Sequence, residues 1–492
     1  MNKKTILSFF HFLILSFPLY AQKNAPEPIG PLPLPKQVEW QKMETYAFVH
    51  YGLNTFTDKE WGYGDTGPKV FNPSRMDVEQ WVKTFKQAGM KGVIIVAKHH
   101  DGFAMWPSPL TDYNITRSSY DGPKNKDGKV DVLAELRKAC DKYGLKMGVY
   151  LSPWDRNHAE YGRQAYVDYY HKQLTDLVTN YGPLFEVWLD GANGGDGYYG
   201  GAREKRKIDN RNYYNYPKIH SIILEHQPQA IIFSDGGPGC RWVGNERGEA
   251  GTTNWAFLKK DKVYPGMPNN QVLGSGFPDG DTWIAAECDV SIRPGWFYHP
   301  EEDSKVKTPE QLADLYYKSV GRNATFLLNF PVDREGRVNA IDSANAVRFR
   351  QIIDEDLKTN LLRKAKVTAS SERGKSFSAK KLNDGKWNTY WATPDGVNTG
   401  SVTLTLGKPT QMNRLLLQEY IPLGQRVKSF FVEALVAGQW QKIDAGEETT
   451  TIGYKRILRF PMIEATAIRV TVTDARGPLC LCNIESYLAK KN

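Results

Sequence analysis

Short apolar blocks alternate with amphipathic segments over the first two thirds of the chain. Seven blocks are nearly continuous in apolar character, as strands buried on both faces are. They are Tyr46–Gly52, Gly92–Lys98, Lys146–Leu151, Phe185–Leu189, Ala230–Ser234, Thr282–Glu287 and Ala324–Phe330. The segments with helical periodicity between them are Asp77–Ala88, Val130–Tyr143, Tyr166–Tyr181, Tyr216–His226 and Pro309–Val320. This α/β alternation predicts a parallel sheet covered by helices and closed into a (β/α)8-like barrel.

The pattern changes after a last helical stretch, Asp342–Leu361. From there the chain consists of short alternating segments separated by turn residues, which is typical of an antiparallel β-sandwich. These segments are Ser401–Leu406, Asn413–Gln418, Ser429–Ala437, Tyr454–Phe460 and Ala467–Thr473. The sequence therefore predicts a barrel over residues 22–361 and a sandwich over residues 362–492.

The first 21 residues have the pattern of a secretory signal. A basic start, Lys3-Lys4, precedes the apolar run Ile6–Leu19, and Ala21 is a plausible cleavage point. This predicts a periplasmic or secreted protein. No later segment is apolar for long enough to cross a bilayer, so no membrane span is expected.

Charge and composition narrow the function classes. The net charge of +9 is spread without long basic runs, which indicates a solvated surface and not a nucleic-acid partner. The 5 scattered cysteines do not form the dense framework of a disulfide-stapled domain. The 13 Trp and 26 Tyr supply flat rings of the kind that stack on sugars, although most of them are expected in the core.

Polar residues collect where the predicted strands end. The stretch Phe185–Gly195 (FEVWLDGANGG) ends an apolar strand on a lone carboxylate, Asp190, followed by small residues. The other strand-end residues are His50, Glu60, Trp61, His99, His100, Asp101, Tyr150, Trp154 and Trp188. In a barrel these residues converge on the rim that carries chemistry. A helix-capping role for Asp190 and a metal site remain as alternatives, although neither His-Glu-x-x-His nor a cysteine cluster is present.

Four motifs then resemble the α-L-fucosidases of glycoside hydrolase family 29, in particular the subfamily that favours α-1,3 and α-1,4 linkages. The motifs are Phe48–Gly52, Lys98–Phe103, Trp188–Gly191 and Arg241–Gly248, and the likeness spans residues 27–360. The resemblance implies a retaining mechanism on a β/α barrel with Asp190 as the nucleophile. It also implies that fucose is bound by His50, Trp61, His99, His100, Tyr150 and Trp188.

A retaining glycosidase needs a second carboxyl group about 5 Å from the nucleophile as acid/base. The resemblance places this role on Glu246, which follows the predicted strand Ala230–Ser234; Glu249, Glu287 and Asp235 are the rivals. Glu60 is expected to bind fucose hydroxyls, and Trp296 or Phe297 to contact the methyl group. The Gly-rich and then basic stretch Gly194–Asn212 is expected to reshape the site entrance.

The C-terminal region resembles the discoidin-like domains of the coagulation factor 5/8 type C superfamily, through Ala379–Trp391 and Ile484-Glu485. This resemblance implies a possible structural calcium ion held by Leu382, Asp384, Thr389 and Glu485, since calcium prefers oxygen ligands. The alternative is that Asp384-Gly385 only makes a turn. No cofactor is expected for catalysis.

The sequence thus predicts a secreted, retaining exo-α-L-fucosidase acting on α-1,3/1,4-linked fucose of branched oligosaccharides or glycoconjugates. A barrel glycosidase for another sugar and a non-catalytic carbohydrate-binding protein are the alternatives.

Overall fold

A computed structural model describes residues 24–268 and 271–490, so the predicted signal segment lies outside the described residues. Eight parallel strands form a closed barrel. They are β1 (Thr45–Val49), β2 (Gly92–Lys98), β3 (Lys146–Leu151), β4 (Leu184–Trp188), β5 (Ile231–Ser234), β6 (Cys240–Trp242), β7 (Ala285–Ser291) and β8 (Ala324–Asn329). The predicted barrel is confirmed.

Helices surround the barrel, and several of them begin at a side chain that caps the first turn. The helices are α1 (Pro35–Gln41), α2 (Leu53–Thr57), α3 (Val78–Gln87), α4 (Val132–Tyr143), α5 (Gln164–Asn180), α6 (Tyr216–His226), α7 (Gln271–Ser275), α8 (Pro309–Ser319) and α9 (Ala340–Asp356). The carboxylates of Asp77 and Asp131 accept backbone N–H groups at the starts of α3 and α4, and Thr308 begins α8 with a capping box. Within the described ranges, no helix combines the length and apolarity that a bilayer crossing needs.

The observed strands differ from the predicted ones at two places. The three-residue strand β6 was missed, because Cys240–Trp242 is too short for a periodic pattern and contains a buried arginine, Arg241. The strand predicted over 282–287 is displaced to Ala285–Ser291. Thr282–Trp283 pairs instead with Phe257–Leu258 in a separate two-stranded sheet. Residues 235–239 join β5 to β6 without a helix.

Aromatic side chains fill the interior of the barrel. Tyr46, Phe48, Tyr150, Trp188 and Phe233 belong to one buried cluster. The Trp188 ring stacks on Phe233 at 3.9 Å between centroids and on Tyr150 at 5.3 Å. Burying each such side chain contributes about 1.5–3 kcal/mol. The interior is therefore a packed core.

The C-terminal sandwich is antiparallel, as predicted. Its strands are β9 (Lys366–Ala369), β10 (Trp391–Ala392), β11 (Gly400–Glu419), β12 (Val427–Val436), β13 (Gln439–Lys442), β14 (Arg456–Ala475) and β15 (Cys480–Tyr487). The strands pair in the order β10-β15-β11-β14-β12-β13, with β9 on β11. Two predicted pairs of short segments are in fact continuous 20-residue strands, β11 and β14. The pairing of β11 with β14 contains register shifts, at which the strands can bend. An alternating sequence pattern does not reveal such shifts, so each long strand was predicted as two segments.

Buried hydrogen bonds join the sandwich to the barrel. The side chain of Gln425 donates to the Asn254 carbonyl (3.0 Å) and accepts from the Ala256 N–H (2.8 Å). Asn254 in turn accepts from the guanidinium of Arg241 in β6 at 2.9 Å. The sandwich thus holds the long connection that follows β6.

Candidate active site

A small pocket of about 90 Å³ opens at the C-terminal ends of the barrel strands. Its lining brings together residues from the ends of several strands. They are Phe48, His50, Trp61, His99, His100, Tyr150, Trp188, Asp190, Ala192, Glu246, Asp289 and Trp296. All but one of the predicted catalytic and substrate-binding residues therefore lie around one cavity; Glu60 does not line it.

Asp190 follows β4 and presents its carboxylate to this pocket. Its Oδ2 accepts from the Tyr150 hydroxyl at 2.9 Å, and its Oδ1 accepts from the Ala192 N–H at 2.7 Å. The Nε2 atom of His100 lies 3.8 Å from Oδ2. Burial raises the pKa of Asp190, while the two hydrogen bonds lower it. The two hydrogen bonds fix the direction of the carboxylate.

Gly191 is required by a close approach. A Cβ atom there would lie 2.3 Å from Oδ2 of Asp235, so a larger residue would displace that carboxylate. Asp235 accepts from the Gly266 N–H at 2.6 Å, and burial raises its pKa to about 7. The Asp235 carboxylate is thus held by the Gly266 N–H and does not line the pocket. This weakens the case for Asp235 as the acid/base.

Glu246 reaches the pocket from the loop after β6, and not from the loop after β5 as the sequence suggested. Its Oε2 accepts from the Trp296 indole N–H at 3.1 Å. Burial and then the Asp190 charge raise the pKa of Glu246, while the Trp296 bond lowers it. Of its rivals, Glu249 pairs with Lys318 at 2.9 Å. Glu287 lies inside β7 and is fully buried.

Three histidines surround the sugar-sized space in defined protonation states. Burial lowers the pKa of His50 and of His100 to about 3 and that of His99 well below its usual value, so all three rings are neutral. His50 Nδ1 donates to Asn329 Oδ1 at 2.8 Å, because the Asn329 amide N–H groups are directed elsewhere. His100 Nδ1 donates to the Ser152 hydroxyl at 2.7 Å, because that hydroxyl donates its hydrogen to the Trp154 carbonyl. His50 and His100 therefore each keep Nε2 as an acceptor for a sugar hydroxyl.

Trp61 and Trp296 form the rim of the site, and Trp154 is buried behind Trp61. Trp61 is 52% exposed and packs edge-on against both His100 (5.4 Å) and Trp154 (5.4 Å). The Glu60 carboxylate accepts from the backbone N–H groups of Trp296 (2.8 Å) and Phe297 (3.1 Å). Glu60 therefore holds the segment that carries Trp296, and its predicted contact with sugar hydroxyls stays a prediction.

Asp289 is a pocket residue that sequence reasoning missed. It lies in β7, is 3% exposed, and accepts from the Trp242 indole N–H at 2.8 Å. Burial, with the nearby charges of Glu246 and Glu287, raises its pKa well above the usual value. The strand shift explains the miss, since the predicted strand ended at Glu287. Alternation from Glu287 would have placed Asp289 on the same inward face.

The family follows from comparison with known proteins. A family model described as alpha-L-fucosidase matches residues 8–351. Alpha-L-fucosidase 1 of Arabidopsis thaliana is 39% identical over 504 residues, covering 100% of this chain and 95% of the relative. This chain belongs to the α-L-fucosidases of glycoside hydrolase family 29. It is therefore a glycoside hydrolase, as predicted.

Solved structures support the same family. A glycoside hydrolase 29 member from an unknown rumen bacterium is 45% identical with a TM-score of 0.85, covering 95% of this chain and 79% of that one. A glycoside hydrolase 29 fucosidase of Ruminococcus gnavus in complex with fucose is 34% identical with a TM-score of 0.85, covering 96% and 98%.

The sandwich also has a family match, to the F5/8 type C domain over residues 366–485. Of the four predicted calcium ligands, Asp384 and Thr389 lie together, with the Thr389 hydroxyl donating to Asp384 at 2.7 Å. Asp384 also accepts from the Lys386 N–H at 2.9 Å. This hydrogen bond forms the turn at Asp384-Gly385 that was the alternative to calcium binding. Leu382 is buried, and the Glu485 carboxylate accepts from the Tyr487 hydroxyl. Calcium binding here stays a prediction.

Proposed function

We propose that this α-L-fucosidase is a secreted, retaining exo-enzyme that releases α-1,3/1,4-linked fucose from branched glycans. The observation that carries the mechanism is that Asp190 and Glu246, from the loops after β4 and β6, line one closed-ended pocket. A pocket at the mouth of a packed barrel admits a terminal sugar and not the interior of a chain. The neutral acceptors His50 and His100 suit the hydroxyls of an uncharged sugar.

The chemistry proceeds in two displacements at the anomeric carbon. The Asp190 carboxylate forms a bond to this carbon while the bond to the leaving oxygen breaks and Glu246 gives its proton to that oxygen. Glu246 then takes a proton from water, whose oxygen displaces Asp190 and frees fucose. The environments support this division, because Asp190 accepts two hydrogen bonds whereas burial and the Asp190 charge favour a proton on Glu246.

The nucleophile is tested with Asp190→Ala. We expect kcat to fall by roughly 10³-fold or more with the fold retained, because the covalent step is lost. Azide, which fits the space left by the carboxylate, should restore turnover and yield a fucosyl azide of β configuration. Retention of most of the activity by the variant, or an α-configured azide product, would remove Asp190 from this role.

The acid/base is tested with Glu246→Ala on two kinds of leaving group. A natural glycan leaves poorly without a proton, whereas an activated aryl group leaves as a stable anion. We therefore expect a far larger loss of kcat/KM on the glycan than on the aryl fucoside. Glu249→Ala is the matched control, since its carboxylate pairs with Lys318 outside the pocket. Equal losses on both substrates would assign the proton transfer to another group.

A further inference from the structure

We propose that Glu186 and Glu287 share a single proton beneath the pocket and together position Trp188, with Glu186 as the neutral donor and Glu287 as the ionised acceptor. The proposal rests on the proposed fucose-binding role of the pocket that Trp188 lines.

The two carboxyl groups form a buried pair. Glu186 in β4 and Glu287 in β7 are both 0% exposed. One oxygen of each, together with the Cys240 Sγ, lies within 4.8 Å of the others. Two fully buried carboxylates this close are not both ionised, because burial removes the solvation by bulk water that two like charges need. One proton between them removes the repulsion and provides a hydrogen bond.

The surrounding donors decide which group is ionised. Glu287 accepts from the Trp188 indole N–H at 2.8 Å and from the Tyr46 hydroxyl. Glu186 accepts from the Trp40 indole N–H on Oε2 at 2.9 Å. Among the described residues, the donor to its Oε1 is the weak Cys240 thiol at 3.8 Å. Glu287 is the better stabilised carboxylate, and Oε1 of Glu186 is left to carry the proton. Burial raises the pKa of both groups, and that of Glu186 well above its usual value.

A proton accounts for this cluster better than a metal ion does. Two carboxylates and a thiol are possible metal ligands. However, three N–H or O–H groups already direct their hydrogens at the carboxyl oxygens. A cation at the same place would meet the positive ends of these dipoles.

Trp188 connects the buried carboxyl pair to the active-site pocket. Its indole N–H is fixed by Glu287, and its ring lines the pocket. The same ring stacks on Tyr150 at an interplanar angle of 25°, and Tyr150 donates to Asp190. The chain of contacts from Glu287 through Trp188 and Tyr150 thus ends at the proposed nucleophile. Glu287 is a positioning residue and does not touch the substrate.

The experiment compares two isosteric variants, Glu186→Gln and Glu287→Gln. In Glu186→Gln the new amide can donate to Glu287 as the carboxylic acid does, so we expect a loss in kcat/KM of at most about threefold. Glu287→Gln replaces a carboxylate, which only accepts hydrogen bonds, with an amide that has a single acceptor oxygen for the Trp188 indole, the Tyr46 hydroxyl and Glu186. We therefore expect a loss of roughly tenfold to a hundredfold through a misplaced site. The inhibition constant of L-fucose should rise in parallel only for Glu287→Gln. Equal losses in the two variants would overturn the proposal.

A double variant separates positioning from loss of packing. In a Trp188→Phe background the indole N–H is absent, so Glu287→Gln should cost clearly less than in the wild-type protein. Additive losses would overturn the proposal. If Glu287→Gln does not fold, Tyr46→Phe replaces it, because it removes another donor to Glu287 away from the pocket. An L-fucose inhibition constant unchanged by Tyr46→Phe would also overturn it.

Failure of the proposed function would look different. In that case L-fucose would not inhibit the wild-type enzyme competitively, whatever the two glutamine variants do.

Discussion

Trp296 contributes to the pKa of the proposed acid/base, Glu246, and a single substitution can remove this contribution. Its indole N–H donates to Glu246 at 3.1 Å and thereby stabilises the ionised carboxylate, which lowers the pKa of Glu246. Burial and the Asp190 charge act in the opposite direction and prevail. Glu246 must be protonated when the substrate arrives, so activity is present below this pKa and is lost as the pH rises through it.

Trp296→Phe should therefore move the alkaline limb of the pH dependence of kcat/KM to higher pH. Removing the N–H donor takes away a hydrogen bond to the ionised form, so Glu246 keeps its proton longer. The measurement is kcat/KM of a fucosylated glycan, whose leaving group needs the proton of Glu246, as a function of pH. Phe48→Leu is a control for loss of an aromatic wall residue without loss of a hydrogen bond to Glu246. A limb shifted to lower pH in Trp296→Phe would contradict the assignment.

At the scale of elements, the predicted insert over residues 194–212 lies beside the pocket rim. It contains a short hairpin, Gly195–Gly197 paired with Glu204–Arg206. The Trp154 indole N–H donates to the Tyr199 hydroxyl at 3.2 Å, and the Gly194 N–H donates to Tyr161 at 2.9 Å. Because Trp154 packs against Trp61, the hairpin supports the exposed aromatic edge of the site from behind.

This edge is where we propose that the sugar carrying the fucose binds. Lewis-type trisaccharides, with fucose α-1,3 or α-1,4 linked to N-acetylglucosamine and a neighbouring galactose, should be cleaved far faster than 2′-fucosyllactose or simple aryl fucosides. Contacts remote from the reacting bond can lower the barrier when they are realised in the transition state. The measurement is kcat/KM across the panel. A highest value on the α-1,2-linked sugar, or equal values, would leave only a general α-L-fucosidase.

Tyr199→Phe tests whether the hairpin contributes to that preference. It removes the acceptor of the buried Trp154 N–H, so we expect kcat/KM to fall on a Lewis-type trisaccharide and to change little on an aryl fucoside. Tyr198→Phe, one residue earlier in the same hairpin and half-buried, is the matched control. Parallel losses on both substrates in Tyr199→Phe would argue for a general loss of structure instead.

At the scale of the whole molecule, polar groups of the barrel form hydrogen bonds and ion pairs with polar groups of the sandwich. Gln425 is fully buried and bonds to two backbone groups of the connection after β6. Asn323 at the start of β8 likewise accepts from the Tyr454 N–H at 2.7 Å. Arg322 pairs with Glu447 at 2.7 Å. Gln425 thus ties the sandwich to the connection that carries Glu246, and Asn323 and Arg322 tie the sandwich to the start of β8.

Gln425→Ala should lower the free energy of unfolding by roughly 1–3 kcal/mol, because it leaves the buried Ala256 N–H without its acceptor and the Asn254 carbonyl with one donor instead of two. Scanning calorimetry should show a lower transition temperature. Gln439→Ala, an exposed glutamine on the outer strand β13, is the control and should leave the transition in place. An unchanged transition in Gln425→Ala would show that water replaces the lost partner.

The sequence alone determined the barrel, the sandwich and most of the pocket. Continuous apolar blocks identify buried parallel strands, and parallel strands bring their carboxyl ends together, so Asp190, His50 and His100 could be placed on one rim without coordinates. The resemblance then supplied Glu246, whose loop has no periodic signal of its own.

Only the tertiary structure decided how these residues are held. The strand β6 exists because Arg241 and its neighbours find partners far along the chain, at Asn254 and in β7. Asp289 reaches the pocket because β7 continues to Ser291, beyond the end that the apolar pattern suggests. The pairing of Glu186 with Glu287 joins residues from distant parts of the chain across the barrel. Local pattern records which face of a strand is buried, whereas the partner of a buried polar group depends on strand register and barrel closure, which no local stretch of sequence contains.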